Sequence, residues 1–439
     1  MGGQWRPASR FIGRIASAAS GLTRSANVAS LRSVRHAALS AAAALCSVSV
    51  IGGCSGARVP SSDQTRPAPP SASSVRRAAR EPTSDILTPT FTSDKDGASF
   101  VLAAGGDVNL GRGCGKLLLS DSAYDPFRGI ARAWSDADLR FVNLESSLSE
   151  QHGETQSPHH TLVFTGPPAG ADALLRGGVG IASTANNHAW DYARRGLFET
   201  LENLDRVGVA HSGTGRDEDE AYRPAVMHIN GLTVTFFAVT QVWNLGVFAE
   251  EEARHHVAWA DFPRLRAALI RARAESDFVL LSYHGGEEYL DSPLPKTRDF
   301  VSEVMSVGVD AVIGHHPHVP QGVAWYGARP VFYSLGNLVF DGRSELPWTR
   351  ESFLAKLRFR RGAPVEVSAC PYRIDGFEPV ALPVAEEELS RAFERHLQQT
   401  SAGLGGTELG ERDALGCVRL LPLRDPPPAD RGSPQLGHH

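Results

Sequence analysis

Five short clusters of metal-competent side chains punctuate the middle of the sequence. They are Asp107 and Asn109 in Gly105-Gly106-Asp107-Val108-Asn109, Glu145 in Asn143-Leu144-Glu145, and Asn187 and His188 in Ala185-Asn186-Asn187-His188. Further on come His284, with Glu287 and Glu288 close behind, and the run Gly314-His315-His316-Pro317-His318. Carboxylates, amide oxygens and imidazoles without sulfur suit Mn, Fe or Zn rather than a thiolate-preferring ion. A bridging carboxylate such as Asp107 could hold two ions about 3.5–4 Å apart, a spacing that activates a water and clamps both oxygens of an in-line displacement. The sequence leaves open whether one divalent ion or two would bind. It contains no CxxC spacing, which argues against a thiolate zinc site.

Taken singly, each cluster also fits ordinary structure: a polar loop for the histidines, a turn at Gly106-Asp107, a helix cap at Asn187. Their positions argue for a site, because each follows a short apolar run that reads as a buried strand. These runs are Phe100 to Ala104, Leu139 to Val142, Gly180 to Ser183, Phe278 to Ser282 and Asp310 to Ile313, with similar runs at Val234 to Val239 and Val331 to Tyr333. Between several of them, Ala193 to Arg206, Phe262 to Ala274 and Arg298 to Val307 carry apolar residues at i, i+3 and i+4, as helices do. Strands alternating with helices predict a layered α/β domain, in which the strands' carboxyl ends share one edge and the five clusters converge. Phe353 to Arg360 and Val365 to Cys370 alternate like antiparallel strands, and Glu386 to Gln398 reads as a helix. The expected organisation is a main domain over 97–345, a C-terminal α+β extension of the same domain over 346–425, and a loose Pro-rich tail over 426–439.

The N-terminus has another character. Residues 1–36 hold many Arg and Ser but no acid, and Ala37 to Ile51 is a run of about 15 small apolar residues, short of the ~20 that span a bilayer. It reads as a signal peptide over 1–53. Ile51-Gly52-Gly53-Cys54 resembles the bacterial lipobox, so Cys54 is the expected acylated first residue; the alternative is a cysteine at an ordinary signal end. Residues 54–96, rich in Pro, Ser, Ala and Arg, read as a disordered tether. The expected location is the bacterial cell envelope, exported and lipid-anchored to the membrane. Of five cysteines, Cys114, Cys370 and Cys417 remain for the folded part, and Cys370 to Cys417 is the one pairing available within the C-terminal region. A net charge of -5 over 439 residues, with no long basic run, argues against a nucleic-acid partner.

Five segments carry a resemblance to a known family: Gly106-Asp107-Val108-Asn109-Leu110-Gly111-Arg112, Asn143-Leu144-Glu145, Ala185 to Asp191, Gly314 to Gln321, and Tyr333 to Asp341. In this order, from about Phe100 to Asp341, they resemble the CapA family of poly-gamma-glutamate capsule synthesis, which is related to the calcineurin-like metallophosphoesterases. The resemblance implies a metallophosphoesterase-like sheet sandwich flanked by helices. It implies metal ligands at Asp107, Asn109, Glu145, Asn187, His284, His316 and His318, with Asn109 standing for a histidine and Glu145 for a bridging aspartate. Asp107 and His188 are then the catalytic candidates, His188 as general acid or as an orienting group. Arg112, Glu288, Tyr289 and Asn337 fall on the substrate side, and Lys296 is a further candidate to meet negative charge. Gly285 stands where family members commonly carry tryptophan, which predicts an open pocket wall.

Two tempting motifs fail on their residues. Gly111 to Lys116 ends like a phosphate loop, but Leu110 and Leu117 stand where glycine and Ser or Thr are needed. Cys114 has no located base partner and reads as a small packed residue. The implied function is a metal-dependent phosphoesterase-like hydrolase or transferase acting on an anionic polymer or phosphoester, working beside membrane-bound capsule synthase subunits. The competing expectation is a non-catalytic polymer-binding or export component of the same assembly.

Overall fold

A computed structural model describes residues 97–423, apart from 245, 344 and 383–385. The expected signal peptide, Cys54, the tether and the tail from 426 lie outside the described residues. Among those described, no helix is long and apolar enough to cross a membrane.

Strand Ser99–Val108 is buried from Phe100 onward and apolar up to Asp107, the signature of a strand covered on both faces. It runs parallel to Leu139–Leu144, which continues through Ile181–Ser183 to Ala210–Ser212. On its other side it pairs antiparallel with Glu351–Arg360 and then, toward its carboxyl end, in parallel with Asn337–Val339. Glu366–Asp375, Val418–Pro422 and Thr407–Arg412 extend this sheet in antiparallel steps. A second sheet has Leu232–Thr240, Phe278–His284, Ala311–His315 and Arg329–Phe332 in parallel, edged by antiparallel Ala225–Ile229 and Val323–Tyr326.

The two sheets pack face to face. Phe100, Leu102, Phe141, Phe236, Leu280 and Ile313 are among the side chains that fill the space between them. Phe100 stacks on Phe359 with centroids 4.9 Å apart and meets Phe278 edge-on at 5.9 Å. Helices cover the outer faces: Ala169–Arg176 contributes Leu174 to the apolar cluster that holds Val142 and Leu144, while Phe262–Glu275 and Pro295–Ser306 bring Leu269, Phe300 and Val304 against Val279 and Leu281. The result is the helix-flanked sheet sandwich that the motif order implies.

Local chemistry sets the element ends. Helix Ala193–Val207 stops at Gly208, whose left-handed backbone (φ 74°) is open to glycine without a Cβ penalty. Helix Phe262–Glu275 starts at Asp261, whose carboxylate accepts the Arg264 N–H, with Pro263 in the first turn. Cys370 and Cys417 form a disulfide beside strand Val418–Pro422, and Cys114 is a buried free thiol.

The predicted helices and strands are found within a few residues of their expected bounds, with one systematic difference. Strands run past their last apolar residue into the polar clusters, taking in Asn143, His284 and His315. The ladder hydrogen bonds are made by backbone, so a polar side chain at the end of a strand does not stop it. Helix Arg112–Ser120 was not anticipated because Gly113 and Gly115 are poor helix formers that mask its periodicity.

Candidate metal centre

Ladder register brings the clusters to one edge. Asp107 lies opposite Asn143 on one side and Asn337 on the other, and His284 lies opposite His315. The approach of Asn337 to Asp107 depends on Gly106: a Cβ there would run into the Gly336 carbonyl, which accepts the Asp107 N–H at 2.9 Å. Only a residue without a side chain lets the two backbones come this close.

Glu145 is the hub. It is fully buried, and its Oε1 has no hydrogen-bond partner although the Nε2 atoms of His318, His284 and His188 stand 3.6, 3.9 and 3.9 Å away. A buried carboxylate oxygen left without a donor is costly in a protein interior, and such atoms mark places where an ion belongs. Donor atoms of Glu145, His284 and His316 lie within 4.8 Å of one another, as do those of Asp107, Glu145 and His318. The carboxylate common to both groups is thus Glu145, the residue that the resemblance puts at the bridging position, while Asp107 belongs to one of them. This His/Asp/Glu cluster is compatible with a divalent metal.

Other contacts fix these side chains. His284 Nε2 meets Asn187 Oδ1 at 2.7 Å, and its Nδ1 faces the Asn143 amide at 3.2 Å. The Asn143 amide also donates to Asp107 Oδ1 at 2.9 Å. His318 Nδ1 sits 3.3 Å from Asp107 Oδ2 and 2.8 Å from Asn337 Oδ1. Asn337 lines the cleft beside His188 with its amide nitrogen on the Thr349 carbonyl and its Oδ1 on His318. Asn109 turns its Oδ1 to the Gly111 N–H at 2.8 Å. His315, fully buried, places Nδ1 3.2 Å from Asp107 Oδ1.

Electrostatics follow from burial and these neighbours. Burial opposes the charge on Asp107, but His315 and His318 outweigh it and hold the carboxyl well below the usual range. Burial, with the Asp107 charge, pushes Glu145 well above it. Burial holds His284 and His316 neutral, His316 down to about 3, and neutral imidazole is the form that ligates a metal. Burial also works against His318, yet Asp107 raises it.

His188 lies beside this cluster. Its Nδ1 donates to Asp191 Oδ2 at 2.9 Å, leaving Nε2 toward Glu145 and 3.4 Å from the Asn244 amide. Its ring stacks on Phe164 with centroids 4.1 Å apart. A cleft of about 230 Å³ opens here, lined by His188, His318, Arg112, Glu288, Tyr289 and Phe340 among others. Lys296 lines a second depression with Gln241, Arg254 and Trp259, and its charge still reaches His316. The opening expected at Gly285 is filled from within, since an ideal Cβ there would stand 2.6 Å from the Tyr283 hydroxyl. Of seven non-glycine residues with positive φ among those described, four belong to the centre or its cleft: Arg112, Tyr289, His316 and His318. Left-handed backbone at non-glycine residues costs energy and concentrates at functional sites.

Asn143, His315 and Asp191 were not among the sequence candidates. All three sit inside the quoted motifs, and Asn143 could have been found from strand register, since it must face Asp107 when the two parallel strands align.

The family profile of the bacterial capsule synthesis protein PGA_cap matches residues 101–342, over half of the chain and all of the centre. The chain belongs to this family. Among relatives of this PGA_cap chain, the PGA biosynthesis protein CapA of Bacillus subtilis is 28% identical over 309 residues, 69% of this chain and 77% of its own length. The capsule biosynthesis protein CapA of Bacillus anthracis is 24% identical over 304 residues, 68% and 73% of the two chains. Among solved structures, the sulfate thiohydrolase SoxB of Thermus thermophilus overlaps 64% of this chain and 45% of its own, with 13% identity and a TM-score of 0.35.

Proposed function

We propose that this PGA_cap protein is a divalent-metal-dependent hydrolase or transferase of capsule polymer synthesis, held at the cell envelope by a lipid on Cys54. Family membership supports the pathway. The observation that carries the chemistry is the unpartnered, fully buried Glu145 oxygen ringed by three imidazoles. Asp107, Glu145, Asn187, His284, His316 and His318 would hold one or two ions, with Mn, Fe or Zn best suited to their oxygen and imidazole donors. A bound divalent ion would supply Lewis acidity to a phosphoryl or carbonyl oxygen and ease the ionisation of a water.

The chain's own residues do the rest. With Nδ1–H given to Asp191, His188 turns Nε2 to the centre, where it can hold a proton for a leaving group. Phe164 keeps the imidazole in plane by stacking. The substrate class is an anionic polymer such as poly-gamma-glutamate, or a phosphoester, and membrane-bound synthase subunits are the expected partners.

Plasma mass spectrometry of the purified full chain tests this. Near-stoichiometric Mn, Fe or Zn is expected, retained in His188→Ala while turnover of gamma-glutamyl and phosphodiester substrates falls by about 10²–10⁴, the range for loss of a positioned acid. A folded, metal-free wild type would overturn the reading in favour of a polymer-binding guide. For the anchor, Cys54→Ser should move the protein from the membrane fraction to the soluble one.

A further inference from the structure

Arg112 occupies a position that its fold makes expensive. Its φ is 47° between Gly111 and Gly113, either of which could take a left-handed backbone more cheaply. The loop is nonetheless pinned there, because the Arg112 N–H donates to the Thr155 carbonyl at 2.8 Å. The guanidinium carbon lies 4.5 Å from the Phe164 ring centroid and 5.9 Å from that of Phe340. These two rings also touch the centre: Phe164 stacks on His188 at 4.1 Å, and Phe340 packs on His318 at 4.7 Å. Arg112 is therefore held one aromatic thickness from both the candidate acid and a candidate ligand.

Stacking blocks the face of a guanidinium and leaves its in-plane N–H donors to recognise an anion. Nη2 is engaged by the Thr161 carbonyl at 3.2 Å, but Nη1 is 4.0 Å from Asp341 Oδ2, beyond hydrogen-bonding distance. The side chain keeps 21% of its exposure, on the wall of the same cleft that His188 and His318 line. Burial raises the Asp341 carboxyl from its ordinary range even with Arg112 nearby, consistent with a loose contact. We propose that Arg112, clamped by Phe164 and Phe340, is the anchor of an oxyanion subsite that takes a carboxylate or phosphate oxygen of the substrate beside the centre.

This subsite deepens the metal-dependent reading and is testable apart from it. Glutarate and inorganic phosphate, the dicarboxylate and phosphate probes, are titrated by calorimetry into the full-length wild type, Arg112→Gln and Arg112→Lys, each with and without chelator. Arg112→Gln should weaken the better probe by about tenfold or more, as loss of a charge-assisted hydrogen bond does. Arg112→Lys should recover part of that by keeping the charge without the planar fork. Metal content should be the same in all three proteins. The stronger response of glutarate or of phosphate identifies which anion the subsite is built for. Because Arg112 also packs on two rings, Arg112→Met is the control: it keeps apolar contact and removes the charge, and should lose binding while its thermal unfolding stays within a few degrees of wild type. Unchanged affinity in a folded Arg112→Gln or Arg112→Met protein overturns the subsite and leaves the metal reading standing. Arg112-dependent binding in a protein that holds no metal keeps the subsite and sinks the metal reading.

Discussion

The centre has two sides, and they are built differently around the shared Glu145. On one side His284 and His316 come from the second sheet and the loop after it, Asn187 Oδ1 converges on His284 Nε2 at 2.7 Å, and burial keeps both imidazoles neutral. On the other, Asp107 and His318 already satisfy one another at 3.3 Å, His318 is further tied to Asn337, and Asn109 has turned its oxygen to Gly111. The first side is neutral: His284 is held only by hydrogen bonds to the side-chain amides of Asn187 and Asn143, and His316 Nδ1 has no partner. The second holds a charged pair, Asp107 and His318, that an ion must displace. Any ion should therefore bind more tightly on the His284 side, and a second ion, where one binds, should be the weaker. Glu145 matters to both sides because its Oε1 accepts a hydrogen bond from neither.

The largest effect should follow from removing that hub. Glu145→Gln is expected to abolish both classes of binding, lowering metal affinity by a hundredfold or more, beyond the roughly 10–100-fold seen when a residue that merely orients a ligand is lost. The metal-free variant should unfold at the same temperature as the metal-free wild type or higher, since burial and the Asp107 charge already oppose ionisation of Glu145 and the neutral amide keeps its shape. Calorimetric metal titration with thermal melts checks both. Unaltered metal affinity in Glu145→Gln would mean that neither side depends on this carboxylate.

A smaller and more selective effect should separate the two sides. His284→Ala should remove the tight class of metal and leave any weak class, whereas His318→Ala should leave the tight class close to wild type. Equal losses in the two variants would mean that the centre binds as one unit, with Glu145 and both imidazoles around a single ion.

Much of this was legible in the sequence. Asp107, Glu145, Asn187, His284, His316 and His318 each follow an apolar run, and parallel topology leaves their strand ends little choice but to converge. What was not legible depends on side-chain direction. Nothing in the sequence around Asn109 says that its amide oxygen folds back on Gly111, nor that Asn337 holds His318 from the cleft wall. The role of Gly106 as a contact point for the Gly336 carbonyl likewise needs the partner strand, which lies over 200 residues away. Periodicity reports which face is buried, and a pairing at long sequence separation is invisible to it.

The mildest change should come from the Asp107 side. Asn109 stands where the resembling phosphoesterase pattern has a histidine, and its oxygen is bound within its own loop. Asn109→His would exchange that local acceptor for an imidazole near Asp107. If the second side is weak for want of a donor, this variant should tighten the weaker class of metal by up to about tenfold, the equivalent of ~1.4 kcal/mol, and leave the tighter class unchanged. The loop should loosen slightly, because the Gly111 N–H loses its partner, at a cost of about 1 kcal/mol read as a small drop in the melting temperature of the metal-free protein. A variant with the stability loss but no gain in metal would place the weakness elsewhere, in the Asp107–His318 pair itself. His318→Gln in the same background would then be the next change to make, since it keeps the contact to Asn337 while removing the cation that Asp107 holds.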